Sequence, residues 1–140
     1  MSKTINPLVK VVRTSSGLGL IATQAIPKGT SIIQYIGPIL SFAESEKKAG
    51  MYQFEISNEK FIDGSNRNNI ARYANHACRP NSQAYVYDNE EIWIEAKRSI
   101  KSGEQITINY GKTYFDLHIK PKGCKCATCQ DKKKPSLRVR

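Results

Sequence analysis

The spacing of apolar residues along the chain predicts short β-strands joined by turns. Two apolar runs, LVKVV at residues 8–12 and LGLIA at residues 18–22, flank the polar turn RTSSG and are expected to pair as a hairpin. The β-branched run TSIIQYIGPIL predicts two buried strands with a bend at Gly37-Pro38. Two later segments share the strand pattern: AYVYDNEEIWIEA, with a turn at Asp88-Asn89, and EQITINYG. The pattern therefore favours a mainly β fold.

Helical signals are few and short. The segment SFAESEKKAG begins with Ser41 and Glu44 at the spacing of a capping box, and Gly50 supplies a stop signal. The segment NNIARYA predicts one or two helical turns with Asn68 or Asn69 as the N-cap.

One spacing pattern occurs twice in the chain. The segments ATQAIPKGTSI and AKRSIKSGEQI share the pattern A-x3-I-x2-G-x2-I, carried by Ala22, Ile26, Gly29 and Ile32 and by Ala96, Ile100, Gly103 and Ile106. Each copy is typical of a strand, a tight turn and a second strand. Two copies predict two similar small sheets, because a solenoid needs more repeats than this.

Length and charge narrow the classes of function. A chain of 140 residues is expected to form one domain, and its net charge of +10 is concentrated in residues 118–140, which hold eight basic side chains and one acidic one. The tail, residues 131–140, is expected to be disordered and to add a weak, salt-sensitive contact with nucleic acid. No apolar run approaches the roughly 20 residues that span a bilayer, and the N-terminal segment lacks a secretory signal. We therefore expect an intracellular protein with no membrane contact.

The four cysteines suggest a metal site. Cys124, Cys126 and Cys129 lie within six residues, which is a spacing typical of metal ligands, whereas disulfides within so tight a cluster are disfavoured. Cys78 stands apart in the stretch YANHACRPN, where an amide, an imidazole and a thiol lie almost side by side. A polar turn with a small buried cysteine would also explain this stretch, and four unligated thiols remain an alternative.

In five segments the chain resembles the SET-domain protein lysine methyltransferases. The segments are SSGLGLIATQAIPKGTSIIQYIG, YQFEI, RYANHACRPN, GEQITINYG and CKCATC, in the order of the family's motifs. The resemblance covers about residues 8–129. It departs from the usual pattern at Ala77, Asn109 and Pro38 and in the C-x-C-x2-C spacing, differences that bear on substrate choice.

The resemblance implies a fold and a domain division. The expected fold is mainly β, with small curved sheets, a C-terminal pseudoknot and few short helices. Residues 1–114 are expected to form the SET domain, residues 115–130 a post-SET zinc segment and residues 131–140 the basic tail.

The resemblance also implies a reaction, the transfer of a methyl group from S-adenosylmethionine to a lysine amine. Tyr110 and Tyr35 are the predicted catalytic residues, at the inner end of the channel that receives the lysine. In isolation, either tyrosine would more ordinarily pack its ring in a core. Because Ile108 is smaller than the aromatic residue common at that position, more than one methylation is expected.

The predicted binding residues also come from the resemblance. Those expected to contact the methyl donor are Gly17, Leu18, Gly19, Tyr52, Arg72, Asn75, His76 and Phe115. The family places the signature cysteine beside the post-SET cluster, so Cys78, Cys124, Cys126 and Cys129 are the predicted ligands of one structural Zn²⁺. His76 and His118 are competing ligands with less suitable spacing.

The expected partner is a protein substrate, a histone or another basic protein associated with nucleic acid. The chain is expected to be a monomer or homodimer, cytoplasmic in a prokaryote and nuclear in a eukaryote or a eukaryotic host. Two other functions stay open: a catalytically inactive SET-like binding module, and a zinc-stabilised nucleic-acid-binding protein.

Overall fold

A computed structural model of the protein describes residues 7–15, 17–48 and 52–109. The described part is mainly β, with ten short strands, one α-helix and one 3₁₀ helix, as the apolar pattern predicts. The strands are β1 Val9–Thr14, β2 Gly17–Ala22, β3 Ser31–Tyr35, β4 Ile39–Ser41, β5 Gln53–Glu55, β6 Lys60–Asp63, β7 Asn75–His76, β8 Ser82–Val86, β9 Ile92–Ala96 and β10 Thr107–Ile108. The helices are α1 Phe42–Lys48 and the 3₁₀ helix η1, Ile70–Tyr73. No described helix is long and apolar enough to cross a bilayer.

The strands form four small sheets. β1 and β2 pair as the predicted antiparallel hairpin, and β3, β9 and β8 form a three-stranded antiparallel sheet in that order. A second three-stranded sheet has the order β4-β6-β5, and β7 pairs with β10 in parallel. The predicted pseudoknot depends on the chain beyond Asn109, which lies outside the described residues.

Two local predictions are confirmed. The chain passes at Gly37-Pro38 from β3 to β4, which belong to different sheets, and an added Cβ at Gly37 would collide with the backbone carbonyl of Asp63. Ser41 and Glu44 form a reciprocal capping box at the start of α1: the Ser41 N–H donates to Glu44 Oε1 at 2.8 Å, and the Glu44 N–H donates to Ser41 Oγ at 3.1 Å. The predicted stop at Gly50 lies outside the described residues.

The predicted short helix and its N-cap residue Asn69 are confirmed, but the expected side-chain capping bond is absent. The Asn69 side chain instead accepts a hydrogen bond from the Ile36 N–H and donates one to the Gly64 carbonyl, both at 3.0 Å. Long-range partners therefore replace the local cap.

The two copies of the repeated spacing pair with each other around a local two-fold axis. The N–H groups of Ile26 and Ile100 each donate to the other's carbonyl at 2.8 Å. The Ala22 N–H donates to the Glu104 carbonyl, and the equivalent bond runs from the Ala96 N–H to the Thr30 carbonyl. Each turn has its glycine at positive φ, +88° at Gly29 and +89° at Gly103, which favours glycine. The repeat thus joins the N-terminal and C-terminal halves of the described fold.

The core is built mainly from β-branched side chains on these strands. Its largest fully buried apolar residues are Leu20, Ile26, Ile92, Ile94, Ile100 and Ile106. These residues come from β2, from both copies of the repeat and from β9. The same buried cluster includes Ile62 of β6 and Ile108 of β10, so one core supports all four sheets.

An ion pair between the buried Asp63 carboxyl and the exposed Lys48 ammonium makes a pH dependence testable. Asp63 is nearly buried, and the Lys48 ammonium 2.8 Å away, helped by hydrogen bonds from Ser65, holds the pKa of its carboxyl below the usual value. A lowered pKa stabilises the fold above the unfolded value of about 3.9, and this contribution is lost as the pH falls through the folded pKa.

We expect Asp63→Asn to reduce the free energy of unfolding by about 1 kcal/mol at pH 7 and to flatten its decline below about pH 4. Urea unfolding at a series of pH values measures both effects. Asp88→Asn, in an exposed turn, is the matched control. Equal acid slopes for Asp63→Asn and the unchanged protein would contradict the assignment.

Candidate functional site

The predicted glycine segment and the Asn-His pair lie side by side. The Asn75 Nδ2 donates to the Leu18 carbonyl at 3.3 Å and to Gln105 Oε1 at 3.1 Å. One amide therefore joins β2 to the segment that precedes β10. This contact spans 57 positions of the sequence, so only the tertiary fold creates it.

Gly19 leaves room for this contact. A Cβ at Gly19 would lie 2.9 Å from Asn75 Nδ2, 2.9 Å from Thr14 Cγ2 and 3.0 Å from Gln105 Oε1. Real Cβ atoms rarely approach their neighbours so closely, so any larger residue would push the Asn75 amide away. The Asn75 contact thus gives a steric reason for glycine at the second position of the G-x-G segment.

Both ends of the stretch YANHACRPN contact β10 and the residues just before it. At the first end, Asn75 and His76 pair in parallel with Thr107 and Ile108. At the other end Asn81, which is 3% exposed, donates from Nδ2 to the Gln105 carbonyl at 2.7 Å and accepts from the Thr107 N–H at 3.0 Å. Two asparagines six positions apart therefore fix residues 105–108.

A second cluster surrounds Tyr35. The Tyr35 hydroxyl donates to the Tyr52 carbonyl at 2.7 Å, and its ring packs against Phe54 with 5.2 Å between centroids. Arg72 Cζ lies 4.3 Å from the centre of the Tyr52 ring and 5.0 Å from that of Tyr73, within the range of cation–π attraction. Tyr35, Tyr52 and Arg72, predicted separately, are therefore neighbours.

The 3₁₀ helix η1 connects the two clusters. It packs against both β2 and β3, and Arg72 in the second cluster lies three positions before Asn75 in the first. Arg72 also donates from a guanidinium nitrogen to the Ser65 carbonyl. A displacement of η1 would therefore move both clusters together.

Sequence reasoning missed two buried asparagines as site residues. Asn69, 1% exposed, ties the backbone next to Tyr35 to Gly64, where an added Cβ would meet the Tyr35 ring. Asn81 holds the C-terminal strand as described above. For Asn81 a sequence signal exists, because it is the last residue of YANHACRPN. For Asn69 the signal is weaker, because its position before a helix predicts only a local cap.

His76 and Cys78 lie close together at the end of β7. Cys78 Sγ is 3.6 Å from His76 Nε2, and burial lowers the pKa of the His76 imidazole below its usual value. The ring is therefore neutral at pH 7. Within the described residues, no group of three or more His, Cys, Asp and Glu side chains is placed to hold a metal ion.

The remaining predicted site residues lie outside the described residues. They are the second catalytic tyrosine, the predicted adenine contact and the three clustered cysteines: Tyr110, Phe115, Cys124, Cys126 and Cys129. Tyr110 follows β10 by two positions, so the contacts of Asn75 and Asn81 fix the point from which the chain reaches it.

Comparison with known proteins gives one family. The model of the SET domain matches residues 17–111. Among curated proteins, the chain is 32% identical over 134 residues to histone-lysine N-methyltransferase ASHH3 of Arabidopsis thaliana, covering 84% of this chain and 37% of that protein. It is 36% identical over 126 residues to human histone-lysine N-methyltransferase 2D, covering 81% of this chain and 2% of that protein.

A third relative is the H3 lysine-36 specific histone-lysine N-methyltransferase of Candida albicans, 31% identical over 134 residues, with 86% of this chain and 16% of that protein covered. The chain thus spans between 2% and 37% of the length of these three relatives. The matched residues include the G-x-G strand, the Asn-His pair and the C-terminal strand, and the chain belongs to the SET-domain family.

Proposed function

We propose that the protein transfers a methyl group from S-adenosylmethionine to the ε-amine of a lysine in a protein substrate. Membership of the SET-domain family and three relatives named as histone-lysine N-methyltransferases support this function. The main structural support is the close packing of the Asn75 amide against Gly19, which has no side chain. The same amide donates to Gln105, just before the strand β10 that leads to Tyr110.

The reaction requires alignment and a neutral amine. The lysine nitrogen forms a bond to the methyl carbon as the carbon–sulfur bond breaks, and the sulfonium becomes a neutral thioether. Since a free lysine amine has a pKa near ~10.4, it must lose a proton before attack. The protein therefore has to orient the amine and exclude water.

Tyr35 and Tyr110 are the residues proposed to receive the amine. The Tyr35 hydroxyl hydrogen is used by the Tyr52 carbonyl, so towards a bound amine the Tyr35 oxygen can act only as an acceptor. Such an acceptor orients an amine N–H and stabilises the positive charge that develops on nitrogen. Tyr110 is proposed to complete the channel from the other side.

The residues present fit a methyl donor. Gly17 and Leu18 are exposed, and the Asn75 amide packs against Gly19 and donates to the Leu18 carbonyl, so strand backbone and a polar side chain lie together there. We propose that Gly17, Leu18 and Gly19 hold the amino-acid end of the donor. Tyr52 and Arg72 are proposed to form the adjacent wall, which the stacking of the two side chains stiffens.

Cys78 is proposed as the fourth ligand of a structural zinc ion, with the three cysteines of CKCATC. Zinc in structural sites favours four thiolates, and Cys78 is half-buried beside the Asn-His pair. When bound, the metal would connect residues 124–129 to the wall of the donor site. A chain of this family with a histone substrate would act at chromatin.

The catalytic proposal is tested by Tyr110→Phe. Because only a hydroxyl is lost, methyl transfer to core histones should fall on the order of 10²-fold with the fold and donor binding retained. Radiolabelled donor and calorimetric titration measure the two properties. Ser102→Ala, which removes an exposed hydroxyl from a turn outside both clusters, is the control. Near-normal activity of Tyr110→Phe would refute the channel assignment, and an inactive unchanged protein that binds donor would favour the binding-module alternative.

The donor site is tested by Gly19→Ala. The new methyl group would displace the Asn75 amide, so the dissociation constant for the donor should rise by about tenfold or more. Lys10→Ala is the control, because it shortens an exposed side chain on the neighbouring strand β1, outside the proposed donor site. Unchanged donor affinity in Gly19→Ala would place the donor elsewhere.

The metal proposal is tested by elemental analysis, which should find one zinc per chain. Chelator or acid should release it, since the ligands must be deprotonated, and Cys78→Ser and Cys126→Ser should each weaken it. The core of residues 7–109 should stay folded, while the Michaelis constant for the donor rises. A fully active protein with no zinc after exhaustive chelation would exclude the site.

A further inference from the structure

The β8–β9 hairpin has the opposite charge to the rest of the chain. Residues 82–96 contain four acidic side chains, Asp88, Glu90, Glu91 and Glu95, and no Lys, Arg or His. The other 125 residues hold all 22 Lys and Arg and the eight remaining acidic residues. A hairpin of charge −4 in a protein of net charge +10 is a local reversal of the field.

The same hairpin exposes aromatic rings on one face. Tyr85 on β8 lies directly opposite Trp93 on β9, and Gln83 lies opposite Glu95. Tyr85 and Tyr87 are 40% and 44% exposed. We define the acidic aromatic face by five residues: Tyr85, Tyr87, Glu91, Trp93 and Glu95.

This face is on the reverse side of the sheet from Tyr35. Along β9, Ile92 and Ile94 are fully buried and alternate with Trp93 and Glu95. On β3, Tyr35 is buried opposite Ile92, and Gln34 lies opposite Trp93. The acidic aromatic face is therefore a surface separate from the proposed lysine channel.

Hydrogen bonds hold the carboxylates and rings in place. Glu95 Oε2 accepts from Ser31 Oγ at 3.2 Å and from the Tyr87 hydroxyl. Glu91 Oε1 accepts from Trp93 Nε1 at 3.0 Å. These side chains are ordered before any partner binds, so a partner pays less of the entropy cost of ordering them. Each carboxylate can accept about four hydrogen bonds, more than the one or two described.

Carboxylates beside exposed aromatic rings match the chemistry of a cationic peptide. A lysine or arginine side chain can stack on an aromatic ring and donate to a neighbouring carboxylate. The net charge of the hairpin repels phosphate, so this face is unsuited to nucleic acid. We propose that the acidic aromatic face binds a Lys- and Arg-rich segment of the protein substrate, away from the lysine that is methylated.

This inference rests on the proposed function for the identity of the partner, since a histone or similar substrate is basic. A second contact outside the channel would raise the local concentration of substrate without touching the reacting atoms. It should therefore lower the Michaelis constant for a basic protein and leave the turnover at saturation unchanged.

The test uses the full chain and a short fluorescein-labelled peptide of alternating arginine, lysine and glycine, with no methyl donor present. Fluorescence anisotropy should show salt-sensitive binding. The double variants Tyr85→Ser/Tyr87→Ser and Glu91→Gln/Glu95→Gln should each raise the dissociation constant by about tenfold. The matched controls are Phe42→Ser, an exposed aromatic on α1, and Glu46→Gln, an exposed carboxylate on the same helix. Both controls should bind as the unchanged protein does.

Photo-crosslinking with the unchanged protein supplies a measurement that needs no variant to fold. A benzophenone group on the peptide should label residues 83–95, and labelling confined to other segments would overturn the proposal. Absence of binding, or equal affinity in all four variants, would also overturn it. The tail, residues 131–140, could itself occupy the acidic aromatic face. Its removal would then tighten peptide binding about tenfold, and only in a protein whose face is intact. This result would overturn the proposal of a substrate contact.

The test separates this inference from the proposed function. Peptide binding without donor does not depend on methyl transfer, so an inactive chain can still bind through the face. Conversely, a chain that methylates histones with the same Michaelis constant in both double variants would keep its proposed function and lose this surface.

Discussion

The candidate site depends on how residues 105–108 are held between β2 and the Asn-His pair. Asn75 reaches Gln105 from one side, and Asn81 reaches the Gln105 carbonyl and the Thr107 N–H from the other. The Ile106 N–H donates to the Leu20 carbonyl at 2.9 Å, which adds β2 to the same arrangement. A strand of two residues forms too few backbone hydrogen bonds to hold its position alone. The side-chain amides of Asn75 and Asn81 add the hydrogen bonds that a longer strand would provide.

This arrangement also explains why the fold accepts so many polar residues near its centre. Asn69, Asn81 and Ser82 are almost fully buried, and each has hydrogen-bond partners that offset the cost of removing it from water. Asn69 and Asn81 have partners in distant segments, whereas Ser82 donates to the neighbouring Asn81 side chain. Each satisfied amide therefore fixes a loop in space, which the small apolar core of isoleucines could not do without directional contacts.

Charge is distributed in a way that suits a basic substrate. The acidic aromatic face and the proposed channel use opposite sides of the sheet β3-β9-β8, and the positive charge lies elsewhere. The two repeat copies pair through Ile26 and Ile100, and this pairing connects the sheet and β10 to the same core. The two proposed functions, substrate binding and methyl transfer, would then share a scaffold and no side chain.

The sequence by itself determined the features that depend on neighbours along the chain. The β1–β2 hairpin, the bend at Gly37 and the capping box of Ser41 and Glu44 follow from alternation, sterics and local hydrogen bonding. The order of the motifs also indicated the family, which the match over residues 17–111 confirms, and it predicted some of the residues of the candidate site. Residues 110–140 lie outside the described part of the chain, so the roles of Tyr110 and the three clustered cysteines stay predictions.

Only the tertiary structure decided which polar groups meet across the fold. Asn69 looked like a helix cap because local rules favour asparagine there, but partners at Ile36 and Gly64 outweigh a cap on so short a helix. The two repeats were expected to give similar sheets, and the structure shows that they pair with each other. Periodicity cannot reveal such pairing, because it describes which face of a strand is apolar and carries no information about which distant segment covers it.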